Sequence, residues 1–273
     1  METKKTYQIV EAVLLFLLIS GCRNALPDSA NAQKSATEST VSIPKKQTVA
    51  MDAICDLSLF GQNLGDGATT TNTGDIDGDG YTDLIIGAQY HNSNQGRAYL
   101  YYGGPNGLSS NPDAIFDGEP ESRLGWSIGV GDVDNDGYDD IVLSGEGYDS
   151  ARGRAYLYWG ASRASMDTRA DLVFEGEGPK DDRFSFSWDQ IPVEDIDGDG
   201  YADILIPATT YPTDVPVWSG IGRCYLYWGD TKEKMNAEAD LVFAPPDGGG
   251  WFGVGLDIGD IDNDNYKDIV IGS

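Results

Sequence analysis

The sequence predicts an all-β protein, a β-propeller of four-stranded antiparallel blades of which about three and a half are present. Three observations carry that expectation. An aspartate-rich segment recurs at Asp75–Asp83, Asp132–Asp140, Asp195–Asp203 and Asp260–Asp268, a period of about 57–65 residues that suits propeller blades better than helical solenoid repeats. Each segment is followed by a short apolar run, and each of the first three units then continues into an aromatic-rich stretch bounded by glycines.

The apolar runs Leu84–Ile86, Ile141–Leu143, Ile204–Ile206 and Ile269–Ile271 have the length and β-branched content of buried strands. Gly96–Gly103, Gly153–Gly160 and Gly222–Gly229 supply the next strand, and Ala114–Phe116, Asp171–Phe174 and Asp240–Phe243 close the unit. A glycine-flanked segment before each aspartate cluster opens it. Because the sequence ends two strands into the fourth unit, the reading is of a partial propeller whose parent has more blades. Asp56–Phe60 is a candidate outer strand for a last blade, and an uncovered edge at Ile269–Ile271 would be an aggregation liability.

The recurring segment has the spacing D-x-D-x-D-G-x-x-D. Calcium takes about six to eight oxygen ligands at about 2.3–2.6 Å, so a loop must converge several carboxylates around one point. Positions one, three, five and nine do so in each loop: Asp75, Asp77, Asp79 and Asp83; Asp132, Asp134, Asp136 and Asp140; Asp195, Asp197, Asp199 and Asp203; Asp260, Asp262, Asp264 and Asp268. Position seven offers a backbone carbonyl, from Tyr81, Tyr138, Tyr201 and Tyr266, and the ninth aspartate is expected to bind with both oxygens. Gly80, Gly137 and Gly200 at position six permit a left-handed turn, and Asn265 takes that place in the fourth loop. An EF-hand is excluded, since position twelve holds Ile86, Leu143, Ile206 and Ile271. The expected cofactor is Ca²⁺, with a structural role.

These repeats resemble the FG-GAP family, the blades of integrin α-subunit propellers and of many bacterial surface proteins. The residues that carry the resemblance are Leu64-Gly65, Leu124-Gly125 and Phe252-Gly253 before the clusters and Gly87-Ala88 after the first. The third repeat departs from the pattern with Phe184-Ser185 and Pro207-Ala208. The resemblance implies a propeller commonly of seven blades.

Ahead of the repeats, Lys4 and Lys5 lead into an apolar run from Val10 to Ile19, too short to span a bilayer and interrupted by Glu11. The run ends in Ile19-Ser20-Gly21-Cys22, which resembles a bacterial lipobox; residues 1–22 read as a lipoprotein signal peptide and Cys22 as the lipidated residue. Residues 23–50 have the composition of a flexible tether, and 51–273 form the repeat domain. The expected location is therefore outside the cytoplasm, with the membrane reached only through the lipid. Cys55 and Cys224 fall in different repeats and are expected as free thiols, and a single histidine excludes a Cys/His metal site. A formal net charge of -27 argues against nucleic acid as a partner.

Strand alternation puts the aspartate loops on one face and the second-to-third and inter-blade loops on the other. That opposite face carries Tyr90, His91, Tyr148, Tyr211, Trp218 and Trp251, a candidate surface for a protein or glycan ligand. Arg97, Arg154 and Arg223 recur at one position and belong to the blade design. With the aspartates used as metal ligands and no constellation among the remaining acids and His91, the expectation is a non-enzymatic surface binding or adhesion module. The alternatives are the propeller of a carbohydrate-active enzyme such as a polysaccharide lyase, or a purely structural envelope lipoprotein.

Overall fold

The computed structural model describes residues 9–10 and 68–273, apart from 109–110, 179–181, 189, 212–219, 246–249 and 265. Cys22, the tether, Cys55, the candidate strand 56–60, Leu64-Gly65, Trp218 and Asn265 lie outside the described residues.

Three four-stranded antiparallel sheets follow one another along the chain. The first blade comprises β2 (Ala68–Gly74), β3 (Asp83–Ala88), β4 (Arg97–Tyr101) and β5 (Ala114–Asp117). The second comprises β6 (Ile128–Gly131), β7 (Asp140–Gly145), β8 (Arg154–Tyr158) and β9 (Leu172–Glu175). The third comprises β10 (Val193–Glu194), β11 (Asp203–Ala208), β12 (Arg223–Tyr227) and β13 (Leu241–Phe243). In the fourth, β14 (Leu256–Gly259) pairs antiparallel with β15 (Asp268–Ile271), and the two-residue β1 (Ile9–Val10) runs parallel to β15.

The core lies between the sheets. Along β7, Ile141 and Leu143 pack toward the first blade while Val142 packs toward the third; on β8, Tyr156 and Tyr158 face the first blade and Leu157 the third. Burial on both faces explains why these strands read as unbroken apolar runs instead of alternating. Aromatic pairs repeat across the blade interfaces, Phe116 with Tyr158 at 4.8 Å and Phe174 with Tyr227 at 4.6 Å between ring centroids. Each contributes about 0.5–1.5 kcal/mol beyond the area it buries.

Glycine lets the first strands of adjacent blades approach. A Cβ on Gly129 or Gly131 of β6 would lie 2.6 or 2.8 Å from the Val193 side chain of β10. The motif that departs from the repeat pattern keeps its geometry: Ser185 adopts φ 67, beside 84 at Gly125 and 92 at Gly253. Its backbone N–H donates to the Pro207 carbonyl at 2.7 Å and its hydroxyl to the Arg154 carbonyl, so two hydrogen bonds offset the left-handed strain.

Candidate metal loops and the opposite face

Each aspartate loop joins the first and second strands of its blade, and its backbone is wound around its own carboxylates. In the first loop, Asp75 accepts from the Gly80 N–H at 3.0 Å, Asp77 from Asp79 at 3.1 Å and Asp79 from Tyr81 at 2.9 Å. The second and third loops repeat the pattern, with Asp132 accepting from Gly137 at 2.9 Å and Asp195 from Gly200 at 3.0 Å. Position six is left-handed at Gly80, Gly137 and Gly200. So is position four, at Gly78, Asn135, Gly198 and Asn263. The restriction of position four to Gly and Asn was a signal in the sequence, because these residues tolerate that conformation best.

The ninth aspartate does something the spacing did not reveal. Asp83, Asp140 and Asp203 are almost completely buried. One oxygen of each accepts an N–H from its own loop, from Ile76, Val133 and Ile196 at 2.8 Å. The other accepts from the glycine ending the third strand, Gly103 and Gly160 at 2.7 Å and Gly229 at 2.9 Å. These aspartates therefore staple the loop to the sheet, a role separate from any two-oxygen metal binding. Burial pushes the Asp140 carboxyl up to about 8 and that of Asp203 up to about 7, against the opposing pull of those backbone N–H groups.

The donor set fits a hard divalent cation. Oxygens in one calcium shell lie no more than about 5 Å apart, given bonds of about 2.3–2.6 Å. Carboxylate oxygens of Asp75, Asp77 and Asp83 lie within 4.8 Å of one another, as do those of Asp132, Asp134 and Asp136, of Asp195, Asp197 and Asp199, and of Asp260, Asp262 and Asp268. In the first loop Asp75 Oδ1 is buried without a hydrogen-bond partner, an acceptor that only a cation or a water would satisfy. These clusters are able to bind a metal ion.

The loops are also laced from blade to blade. Asp75 and Asp139 exchange hydrogen bonds, the Asp75 N–H donating to Asp139 Oδ2 at 2.7 Å and the Asp139 N–H to the Asp75 carbonyl at 3.0 Å. Arg163, from the β8–β9 connection, pairs with Asp77 and, at 2.6 Å, with Asp79. Lys232, from the β12–β13 connection, pairs with Asp134 at 3.2 Å and Asp136 at 2.8 Å. Neither basic residue stands out in the sequence. Beside the third loop a cavity of about 520 Å³ is lined by Asp197, Asp199, Tyr201 and Trp228.

At the opposite face, residues 92–94 and 149–151 follow one another at positive φ, a left-handed turn that costs about 1–2 kcal/mol per residue. The next blade holds it in place, the Arg123 N–H donating to the Asn94 carbonyl at 2.9 Å and the Arg183 N–H to that of Ala151 at 2.8 Å. The expected ligand-face residues divide here. His91 is buried. Tyr148 lies under Arg154, whose guanidinium carbon is 3.6 Å from the ring centroid, and Tyr211 lies under Arg223 at 3.8 Å. Trp251 is half-buried, while Tyr90 is exposed and meets Trp126 edge-on at 6.3 Å.

Tyr90 opens a cluster that sequence reasoning missed. Trp126 packs on Phe186 at 5.2 Å and on Trp188 at 6.1 Å, and the Trp126 indole N–H donates to the Ser187 carbonyl at 3.0 Å. Trp188 remains 63% exposed. It borders a cavity of about 630 Å³ between the first strands of three blades, lined also by Thr70, Gln190, Glu194 and Asp257. Trp126 and Trp188 lie within the second and third repeats, at positions where the other repeats carry no tryptophan; the Phe186-Ser187-Trp188 alternation was the available signal.

Blades of four antiparallel strands, each carrying a carboxylate loop at one end, define an all-β propeller-repeat protein. The chain carries FG-GAP repeats: residues 67–101 and 124–158 match that family. It is 32% identical over 183 residues to integrin alpha-5 of Xenopus laevis, covering 63% of this chain and 16% of that protein. It is 27% identical over 164 residues to the phosphatidylinositol-glycan-specific phospholipase D of Bos taurus, covering 56% of this chain and 19% of that one. The chain thus spans less than a fifth of these relatives. Among solved structures, the exotype rhamnogalacturonan lyase YesX superposes with a TM-score of 0.51 at 18% identity, over 75% of this chain and 38% of the lyase. Rhamnogalacturonan lyase YesW gives 0.50 at 16%, over 76% and 40%.

These findings correct the expectation of a non-enzyme. Sequence relatives and fold neighbours include a phospholipase D and rhamnogalacturonan lyases, so this propeller occurs in enzymes. At 16–18% identity the likeness to the lyases establishes a shared fold. The expectation failed for a physical reason: residues converging on a propeller's centre come from separate blades, so spacing along the chain does not display them.

Proposed function

We propose that this chain is the calcium-stabilised propeller of an exported, carbohydrate-active protein, and that it engages a glycan at the cavity beside Trp188. The observation that carries the reading is the cavity itself: an exposed indole, packed on Trp126 and Phe186, lines together with Gln190, Glu194 and Asp257 a space large enough for a short oligosaccharide. An indole face stacks on the C–H face of a sugar ring, and carboxylates and amides take its hydroxyl groups. The rhamnogalacturonan lyases that share the fold act on a polysaccharide, which supports the same class of ligand.

Calcium, in this reading, is held by the aspartates at positions one, three, five and nine of each loop, with the tyrosine carbonyls at position seven completing the shell. Its role is to neutralise converging carboxylates in the folded chain alone, which turns binding energy into folding stability. The apolar leader and the cysteine at its end support export and a lipid on Cys22 in the same reading. Labelled fatty acid should enter the expressed protein and be lost in Cys22→Ser; equal labelling of both would remove the anchor from the account.

An oligosaccharide array tests the ligand. The expected result is retention of a glycan class by the wild-type chain and its loss in Trp188→Ala at unchanged melting temperature. Binding that survives Trp188→Ala undiminished would move the site elsewhere.

A further inference from the structure

Arg163 and Lys232 occupy one structural position in successive blades. Each lies three residues beyond the glycine, Gly160 or Gly229, whose N–H is held by the ninth aspartate of its own blade. Each reaches back to the preceding blade and engages the same two loop positions, three and five. Each also lies over the equivalent aromatic residue of that preceding blade, Arg163 at 5.0 Å from the Tyr102 ring centroid and Lys232 at 5.4 Å from that of Trp159. The acceptors at position three are buried, with 1% and 2% of the Asp77 and Asp134 side chains exposed. Arg163 further donates to the Gly103 carbonyl, at the strand end that the first loop is stapled to.

A surface ion pair would not recur with this set of partners by accident of side-chain mobility. Here two different basic residues, on two different connections, find the same pair of carboxylates and the same ring. Those carboxylates are also the ones that a divalent ion requires.

We propose that Arg163 and Lys232 are tethered counter-ions: each neutralises the aspartate loop of the blade before it when divalent metal is absent, and yields positions three and five when metal binds. The calcium affinity of the first and second loops is then set partly by the following blade, and metal uptake exchanges a blade-to-blade ion pair for a metal bond within one loop. The inference rests on the calcium reading above, but it predicts an effect of opposite sign to a residue that helps hold the metal. Removing a competitor tightens binding, whereas removing a supporting residue weakens it.

The test is calcium titration calorimetry on the whole chain, with melting curves in excess chelator, for wild type, Arg163→Gln, Lys232→Gln and the charge-preserving Arg163→Lys. Lys234→Gln is the control, since Lys234 pairs with Asp230 outside the loops. Each glutamine variant should tighten one class of site by roughly two- to fivefold, the scale of losing one partly exposed ion pair. Each should also melt below wild type in chelator, while Arg163→Lys and Lys234→Gln stay near wild type in affinity. Unchanged or weaker calcium binding in both glutamine variants, with wild-type uptake intact, would overturn the counter-ion role. A wild-type chain that takes up no calcium would instead overturn the metal reading, and the exchange with it. Should Arg163→Gln fail to fold, Lys232→Gln and the affinity of Arg163→Lys still decide the matter.

Discussion

The two ends of the blades solve the same problem, closing a strand connection tightly against a neighbouring sheet, by different chemistry. At the loop end, backbone N–H groups turn inward onto carboxylates that repeat residue for residue, with Asp83, Asp140 and Asp203 buried as staples. At the opposite end the chain accepts left-handed strain and is held by arginines lying over tyrosines and paired with acids, as where Arg154 meets Glu119 at 2.9 Å. The loop end concentrates negative charge that requires a counter-ion. At the opposite end arginines pair with Glu119, Glu146 and Glu175, and the aromatics that they leave uncovered are open to a ligand. Repetition therefore marks the scaffold, and departure from repetition marks the candidate binding surface.

Removing metal should produce the largest difference between the ends. At calcium concentrations a hundredfold above the dissociation constant each site contributes about 2.7 kcal/mol, so stripping several sites should lower the melting temperature by more than about 15 °C in a scanning calorimeter. The metal-free chain should also lose stability as pH rises from about 4 to about 8. The folded state retains protons on Asp140 and Asp203, raised to about 8 and about 7, that the unfolded chain releases near pH 4. Calcium favours the ionised carboxylates and should flatten this dependence; a metal-free chain that grows more stable over that range would break the account of the loop end.

Next in size is Asp140→Ala, which strands the buried N–H groups of Val133 and Gly160 and should cost about 3 kcal/mol in chemical denaturation. Arg154→Ala, at the other end, should cost about 1–2 kcal/mol, since it loses partly exposed ion pairs and a stacked tyrosine. Trp188→Ala should change stability by less than about 0.5 kcal/mol, because the side chain is mostly in solvent. An inversion of the first two costs would dissolve the contrast between the ends.

Much of the loop end was legible in the sequence because geometry there is dictated locally. Carboxylates at alternate positions and glycine at position six specify a turn with few alternatives, and the apolar runs after each cluster place the second strands. The staple was not legible, because the partners of Asp83, Asp140 and Asp203 lie 20 to 26 residues further along the chain. Arg163 was hidden for the same reason, at 86 residues from Asp77. The opposite face was read by composition, which finds aromatic residues but not their covers: Tyr148 and Tyr211 lie beneath arginines, while Trp188, a residue without a counterpart in the other repeats, stands clear.

Calorimetric titration of calcium into the metal-stripped chain probes the central claim most directly. The account predicts saturable uptake approaching one ion for each of the four carboxylate clusters, with a matching rise in melting temperature. Absence of heat and an unmoved melting curve would contradict it.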